Sequence, residues 1–326
     1  MKKKILAVVL SSMMALGLAA CGGGASSATK STASSKADVS SAAASTESGK
    51  ADASSAKPAV SSETTSSAES AESGASTASV SPAVPTGIDD GVLTVGFDAE
   101  YPPYGYMDEN GQYTGFDLEL AEAVCELEGW MLEKKPINWD SKDMELNSGS
   151  IDCIWNGFTI NGRENSYTFS IPYVDNSQVI VVAENSGIKS LADLAGKNVG
   201  VQAGSAALEL LESEDEGGQK ALAATFGSLN QFADYNTAFT ELQAGALEAL
   251  AIDIGVAKYQ INSRGEGFVI LDENLNTEQY GVGFLKGNTY LAEIINKDLL
   301  YLAKEGTVGK LAEKYEIADM VILKAE

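Results

Sequence analysis

The chain has 326 residues, with 46 acidic side chains against 22 basic ones, no histidine and three cysteines, for a formal net charge of −24 at pH 7. That balance argues against nucleic acid and anionic membranes as partners, because both are bound through basic patches. The missing histidine removes His-based triads and acid–base schemes, and the few cysteines, with no C-x-x-C pair, argue against a zinc site, so no metal or cofactor is expected.

Residues 1–21 read as a lipoprotein signal peptide: a basic start at residues 2–4, an apolar run over 5–20, and the box Leu18-Ala19-Ala20-Cys21. The run is too short and too rich in small residues for a stop-transfer helix. Cleavage before Cys21 would leave a diacylated cysteine, and two acyl chains suffice to hold a soluble domain at a membrane surface. An ordinary secretory peptide with an incidental cysteine is the alternative. Residues 22–87 are almost wholly Ser, Ala, Thr and Gly without an aromatic residue; such a segment buries no core and is expected to be a disordered tether.

The remaining chain is long enough for one large domain or two modest lobes. Residues 91–97 read as a buried strand, 116–124 as the start of an amphipathic helix with acids in its first turn, and 151–155 as a second strand. Strand, helix and strand at this spacing predict a parallel sheet with right-handed crossovers. A second cycle follows: a strand at 178–182, a short helix capped by Ser190 and stopped at Gly196, a strand at 198–202, and a helix from Ser205 to Leu211. After an acidic loop over 212–218 come a helix at 237–244, a strand at 248–252 and a helix at 256–261. Residues 280–284 read as an apolar strand. Leu291, Ile294, Ile295, Leu299 and Leu302 mark one face of a long helix ended by Gly306, and residues 308–315 form a last helix. That helical pair has no sheet of its own and is expected to return to the first lobe. The first lobe is then 88–174 plus 280–326, the second 178–276, and the chain crosses between them at 175–177 and 277–279. Cys125 lies in an apolar helical pattern and Cys153 in an apolar strand, which predicts two buried thiols, with a disulfide as the alternative.

Five segments recur in an informative order: Gly96-Phe97-Asp98-Ala99-Glu100-Tyr101-Pro102-Pro103-Tyr104; Gly115-Phe116-Asp117-Leu118-Glu119; Asn156-Gly157-Phe158-Thr159 with Arg163, Phe169-Ser170 and Pro172-Tyr173; Gly200-Val201-Gln202-Ala203-Gly204-Ser205; and Asp253. Together they resemble the extracytoplasmic solute-binding proteins of polar amino-acid ABC importers, over nearly all of residues 91–315. The resemblance implies an α/β, two-lobed type II periplasmic-binding-protein (Venus flytrap) fold with two hinge crossings. It implies a monomer without catalytic activity that captures a free polar amino acid, basic ones among the options, at the outer face of the membrane. The partner would be an ABC transporter permease. A flytrap that signals to a membrane partner is an alternative, as is a dehydratase of the same fold with Glu100 or Asp98 as its acid–base group.

A zwitterion needs a guanidinium and free N–H groups for its carboxylate, a carboxylate for its ammonium, and a wall matched to its side chain. Arg163 suits the ligand carboxylate. By resemblance, backbone N–H groups near Thr159 and at Ser205-Ala206 assist it, while Asp253 and the Gly157 carbonyl hold the ammonium. Tyr101 and Trp139 stand where related proteins sandwich the ligand, with Phe158 beside them, and Asp98 where basic-amino-acid binders receive the distal cation, with Glu100 nearby. Each has a plainer reading: Arg163 as an ion-pair residue, Asp253 and Asp98 as caps, Ser205 and Thr159 as helix-start hydroxyls, the aromatics as core. The chain also departs from the family pattern. The step from Thr159 to Arg163 is one residue short, with Asn161-Gly162 at the turn; Ala206 and Asn156 replace hydroxyl residues.

Overall fold

A computed structural model describes residues 88–265 and 267–324. The signal peptide, the tether and the lipidated Cys21 fall outside these residues.

The chain enters on β1 (Val92–Phe97), where Leu93, Val95 and Phe97 are buried at alternate positions, as a strand packed on one face requires. Three short strands, β2 (Glu100–Tyr101), β3 (Gly105–Met107) and β4 (Tyr113–Thr114), make a small antiparallel sheet before α1 (Phe116–Glu128). Next come β5 (Met131–Pro136), a 3-10 turn over Trp139–Ser141, α2 (Lys142–Asn147), β6 (Cys153–Ile154) and β7 (Tyr167–Phe169). The second lobe begins in β8 (Val174–Ala183), followed by β9 (Asn198–Gln202), α3 (Ala206–Glu212), α4 (Lys220–Ala223), β10 (Ser228–Phe232), α5 (Tyr235–Ala244), β11 (Ala249–Asp253), α6 (Ile254–Arg264) and β12 (Phe268–Ile270). The return is through β13 (Asn276–Tyr280) and β14 (Gly283–Leu285) into α7 (Thr289–Lys304) and α8 (Thr307–Lys314).

Each lobe is built on its own sheet, ordered β5-β1-β6-β14-β7 in the first and β10-β9-β11-β8-β12 in the second, where β13 also pairs with β8. The expected parallel pairing holds for β1 with β5 and β6, and for β9 with β10 and β11. Both sheets are nevertheless mixed, because β14 joins β6 and β7 antiparallel, and β8 joins β11 antiparallel. The strand expected over 280–284 divides: β13 ends at Tyr280 and β14 starts at Gly283, each in a different sheet. Helices α7 and α8 pack against α1, burying Leu291, Ile295, Leu299 and Leu302. Fully burying an aliphatic side chain of this kind stabilises by roughly 1.5–3 kcal/mol. Cys125 and Cys153 are both buried and unpaired, and burial pushes the Cys125 thiol up to about 12.

Two local features position the site. Asp117, in the first turn of α1, serves the loop after β6 more than the helix dipole: it is fully buried and accepts hydrogen bonds from the Gly157 backbone N–H at 2.6 Å and the Tyr173 hydroxyl at 2.8 Å. Burial raises its carboxyl to about 7 against the opposing effect of those bonds. The second feature is the ribbon of β8 and β13, antiparallel with Asn176 opposite Glu278 and Gln178 opposite Asn276. Along β8, Val174, Asn176 and Gln178 are buried while Asp175 is exposed. One face of the ribbon thus turns Asn176, Gln178, Glu278 and Tyr280 inward.

Candidate functional site

Asp253 ends β11 directly opposite Gln178 of β8. Its Oδ1 accepts hydrogen bonds from Asn176 Nδ2 at 2.8 Å, Gln178 Nε2 at 2.7 Å and the Tyr280 hydroxyl at 2.6 Å. It occupies the cap position of α6 without making a side-chain cap bond, so the helix-cap reading does not describe it. Gly157 lies close by with φ +57°, and a Cβ there would fall 2.9 Å from the Tyr101 ring and 3.0 Å from the Tyr280 ring. Only glycine lets the backbone come this near to the two rings. Thr159 is buried, bridged to Tyr280 through the backbone, and its hydroxyl donates to Glu278 Oε1 at 2.9 Å.

Tyr101 and Trp139 face each other with ring centroids 6.5 Å apart and planes 11° from parallel. A flat or aliphatic group clasped between two rings requires about 7 Å, twice the usual contact distance of about 3.5 Å. The ring planes are at most the centroid distance apart, so opening that slot takes a shift of at least about half an ångström. Phe158 meets Trp139 edge to face at 5.7 Å, and its other neighbours are Tyr167 and Phe169, so it supports the wall from the core side.

Asp98 both caps its turn and enters the cleft. Its Oδ1 accepts from the Glu100 N–H at 2.8 Å, while Oδ2 accepts from Gln202 Nε2 of the second lobe at 2.6 Å. Burial raises its carboxyl to about 6, opposed by those two bonds. Glu100 is exposed and is bonded instead to Asn236 on α5. Ser205 caps α3 by accepting from Leu208 N–H at 3.2 Å, and Ala206 is the first residue of that helix.

Arg163 is engaged by an acid of the second lobe. Its Nε and Nη2 donate to Oε2 and Oε1 of Glu209, on α3 of the other lobe, at 3.0 and 2.8 Å, a bidentate fork. The guanidinium carbon lies 4.9 Å from the Phe158 centroid; the Arg163 side chain is 7% exposed, that of Glu209 53%. Sequence reasoning missed the cation beside it: Lys142 is buried, lies 5.5 Å from the Trp139 centroid, and donates to the Gly204 carbonyl across the cleft at 2.9 Å. Burial lowers its pKa, and the Arg163 charge lowers it further. A lone lysine opening a helix carries no sequence signal for such a role. Asn176, Gln178, Gln202, Glu209, Glu278 and Tyr280 were missed likewise, although the alternation Glu278, Tyr280 within the crossing segment marked one face as inward.

The two lobes are therefore in contact. Asp98–Gln202, Lys142–Gly204, Arg163–Glu209 and Lys258–Asp319 (3.0 Å) all join them. Tyr104 of the first lobe presses on Gly255 of α6, where a Cβ would fall 2.5 Å from the tyrosine oxygen.

Comparison with known proteins agrees with this architecture. The sequence profile of the bacterial extracellular solute-binding proteins, family 3, matches residues 93–317. The L-cystine-binding protein TcyJ of Escherichia coli (strain K12) is 30% identical over 233 residues, covering 71% of this chain and 84% of TcyJ. An ABC uptake transporter substrate binding protein from Streptococcus pneumoniae, solved with bound histidine, superposes with a TM-score of 0.67 at 33% identity, covering 72% of this chain and 95% of its own. An ancestral arginine-binding protein bound to arginine does so with a TM-score of 0.63 at 39% identity, covering 69% and 98%. Two lobes, two strand crossings, a cleft lined from both sides and a profile match spanning most of the chain lead to one conclusion: this protein belongs to family 3 of the bacterial extracellular solute-binding proteins.

Proposed function

We propose that the protein is a lipid-anchored extracytoplasmic receptor that captures a free polar amino acid between its lobes and delivers it to an ABC importer permease. The observation that carries this reading is the meeting, in one cleft, of Asp98, Tyr101, Trp139 and Thr159 from the first lobe with Asp253 and Ser205 from the second, all buried. In this reading Asp253 and the Gly157 carbonyl take the ammonium, the two rings clasp the side chain, and Asp98 takes a distal cation when there is one. Arg163 takes the ligand carboxylate in place of Glu209, whose bidentate fork has the geometry such a carboxylate would adopt. Backbone N–H groups at Ser205 and Ala206 assist it. Residues 175–177 and 277–279 are the hinge, and contacts from both lobes supply the differential affinity that closure requires.

Support comes from the relatives, which are named for cystine, histidine and arginine. Of the two acid–base groups a dehydratase would draw on, Glu100 is exposed and turned to Asn236, and both Asp98 oxygens are engaged, by the Glu100 N–H and Gln202, so the binding reading is preferred. Among the described residues no helix is long and apolar enough to cross a membrane, and the anchor is assigned to Cys21. The test is calorimetric titration of the chain from residue 87 onward, unfolded and refolded to strip carried-over ligand, against the twenty amino acids, ornithine and cystine. One-to-one binding of an amino acid is expected, and a silent panel would overturn the reading.

A further inference from the structure

Beside Asp253, sharing its amide donors, sits a second buried acid. Glu278 is 6% exposed on the inward face of β13, and its Oε1 accepts from Asn176 Nδ2 at 2.8 Å, Gln178 Nε2 at 2.8 Å and the Thr159 hydroxyl at 2.9 Å. The same two amide groups also donate to Asp253 Oδ1. Each amide therefore spends its N–H donors on both acids, and these bonds reach only one oxygen of each carboxylate. All the donors are neutral, and among the described residues no cation lies within 4.0 Å of either acid. The carbonyl oxygens of Asn176 and Gln178 are buried without a hydrogen-bond partner among those residues. Buried acids are ordinarily paired with a cation. This place has an excess of negative charge and of acceptors, the complement of an ammonium group with three donors.

We propose that Glu278 is a second carboxylate of the ligand site, sharing the ammonium group of the bound amino acid with Asp253. This rests on the reading above and adds a residue to it. The Thr159 hydroxyl, because it donates to Glu278, leaves its lone pairs for the ammonium. Glu278 stands on a crossing strand, so a cation held there ties the ligand to the segment about which the lobes move.

A consequence concerns protons. Burial, and then the Asp253 charge, raise the Glu278 carboxyl to about 7. The titratable groups around it are Asp253 on β11, Tyr280 on its own strand, Tyr104 from the first lobe and Tyr235 on α5. Glu278 and Asn176 also line a cavity of about 520 Å³ together with Asp175, Lys258 and Asp319, where Lys258 is bonded to Asp319. An arriving cation favours the ionised carboxylate, so binding releases the proton that Glu278 holds near neutrality. Affinity then rises with pH, by up to about tenfold per pH unit for one released proton below the free-state pKa.

The experiment is calorimetry on the wild type and on Glu278→Gln, which keeps the acceptor oxygen but removes the charge. It uses L-arginine, L-histidine, L-cystine and L-glutamine, in phosphate and in Tris, at pH 6.5 and pH 8. Thermal melts with methylammonium chloride probe the cation alone. The expected result is proton release by the wild type at pH 6.5, and in Glu278→Gln both the loss of that release and an affinity lower by about tenfold or more. A structural role alone would not change the proton count. Unchanged affinity and proton release in Glu278→Gln would overturn the proposal and leave the receptor reading standing. Should no amino acid bind the wild type while methylammonium raises the melting temperature of the wild type and not of Glu278→Gln, the receptor reading falls and the cation place stands. No response to methylammonium together with a silent panel overturns both.

Discussion

The two ends of the cleft are charged in opposite senses and finished differently. At Arg163 the protein supplies its own carboxylate, Glu209, in a two-point fork reaching across the cleft. At Asp253 and Glu278 it supplies only neutral donors. In the proposed site a ligand carboxylate would replace an existing partner, whereas a ligand cation would meet acids that have no cation within salt-bridge distance among the described residues. The difference implies that the cation end should carry most of the affinity, because there the ligand relieves a buried charge instead of exchanging one ion pair for another.

The largest expected effect is at that end. Asp253→Asn should weaken amino-acid binding by about 2–5 kcal/mol, the range for truncating one member of a buried charged contact. Thermal melting checks that the fold survives. Arg163→Ala should cost less, about 1–2 kcal/mol, since the wild type gives up the Glu209 pair on binding and the net gain is smaller. Equal losses in the two variants, measured by calorimetry, would break the comparison.

Removing the competitor sharpens it. Glu209→Gln frees the guanidinium and should tighten binding by about 0.5–1 kcal/mol, the scale of a partly exposed ion pair. Weaker binding would instead make Glu209 a latch of the closed form. Gly255→Ala places a methyl group against the buried Tyr104 ring and should hinder closure, lowering affinity by about 1 kcal/mol without changing which amino acid is preferred. A changed preference would place that contact inside the binding wall.

A separate effect is on stability without ligand. Asp98, Asp117 and Glu278 rise from ordinary carboxylate values to about 6, about 7 and about 7. The folded state then binds more protons than the unfolded one between about pH 4 and pH 7. The stability these groups contribute is full below their unfolded values and is lost as pH rises through 6 to 7. Melting temperature should therefore be higher at pH 5.5 than at pH 8, by about 2–4 °C for each kcal/mol involved. A flat or reversed trend would show that these acids are not held as described.

Much of the fold was legible because it depends on local patterning. Ser190, Ser205 and Gly306 marked helix ends that the structure keeps, and the apolar spacing from Leu291 to Leu302 foretold the face of α7. Strands β5 and β10, read as Met-Leu-Glu-Lys-Lys-Pro and Ser-Leu-Asn-Gln-Phe, were missed because edge strands carry too few buried residues to show alternation. The break between Tyr280 and Gly283 was invisible, since both flanking stretches are apolar and only pairing with different sheets separates them.

The same division runs through the site. Residue type and order determined the two-lobed class, the hydroxyl cap at Ser205 and the acid at the end of β11. These are properties of short segments and of their succession along the chain. Tertiary structure alone decided that Arg163 is engaged by Glu209, 46 residues away, and that Glu278 shares its amide donors with Asp253. Such partnerships join charges and amides that are polar in any sequence and ordinarily face water. Only the docking of one lobe on the other, and the register of β8 against β13, withdraws them from solvent and makes them choose partners.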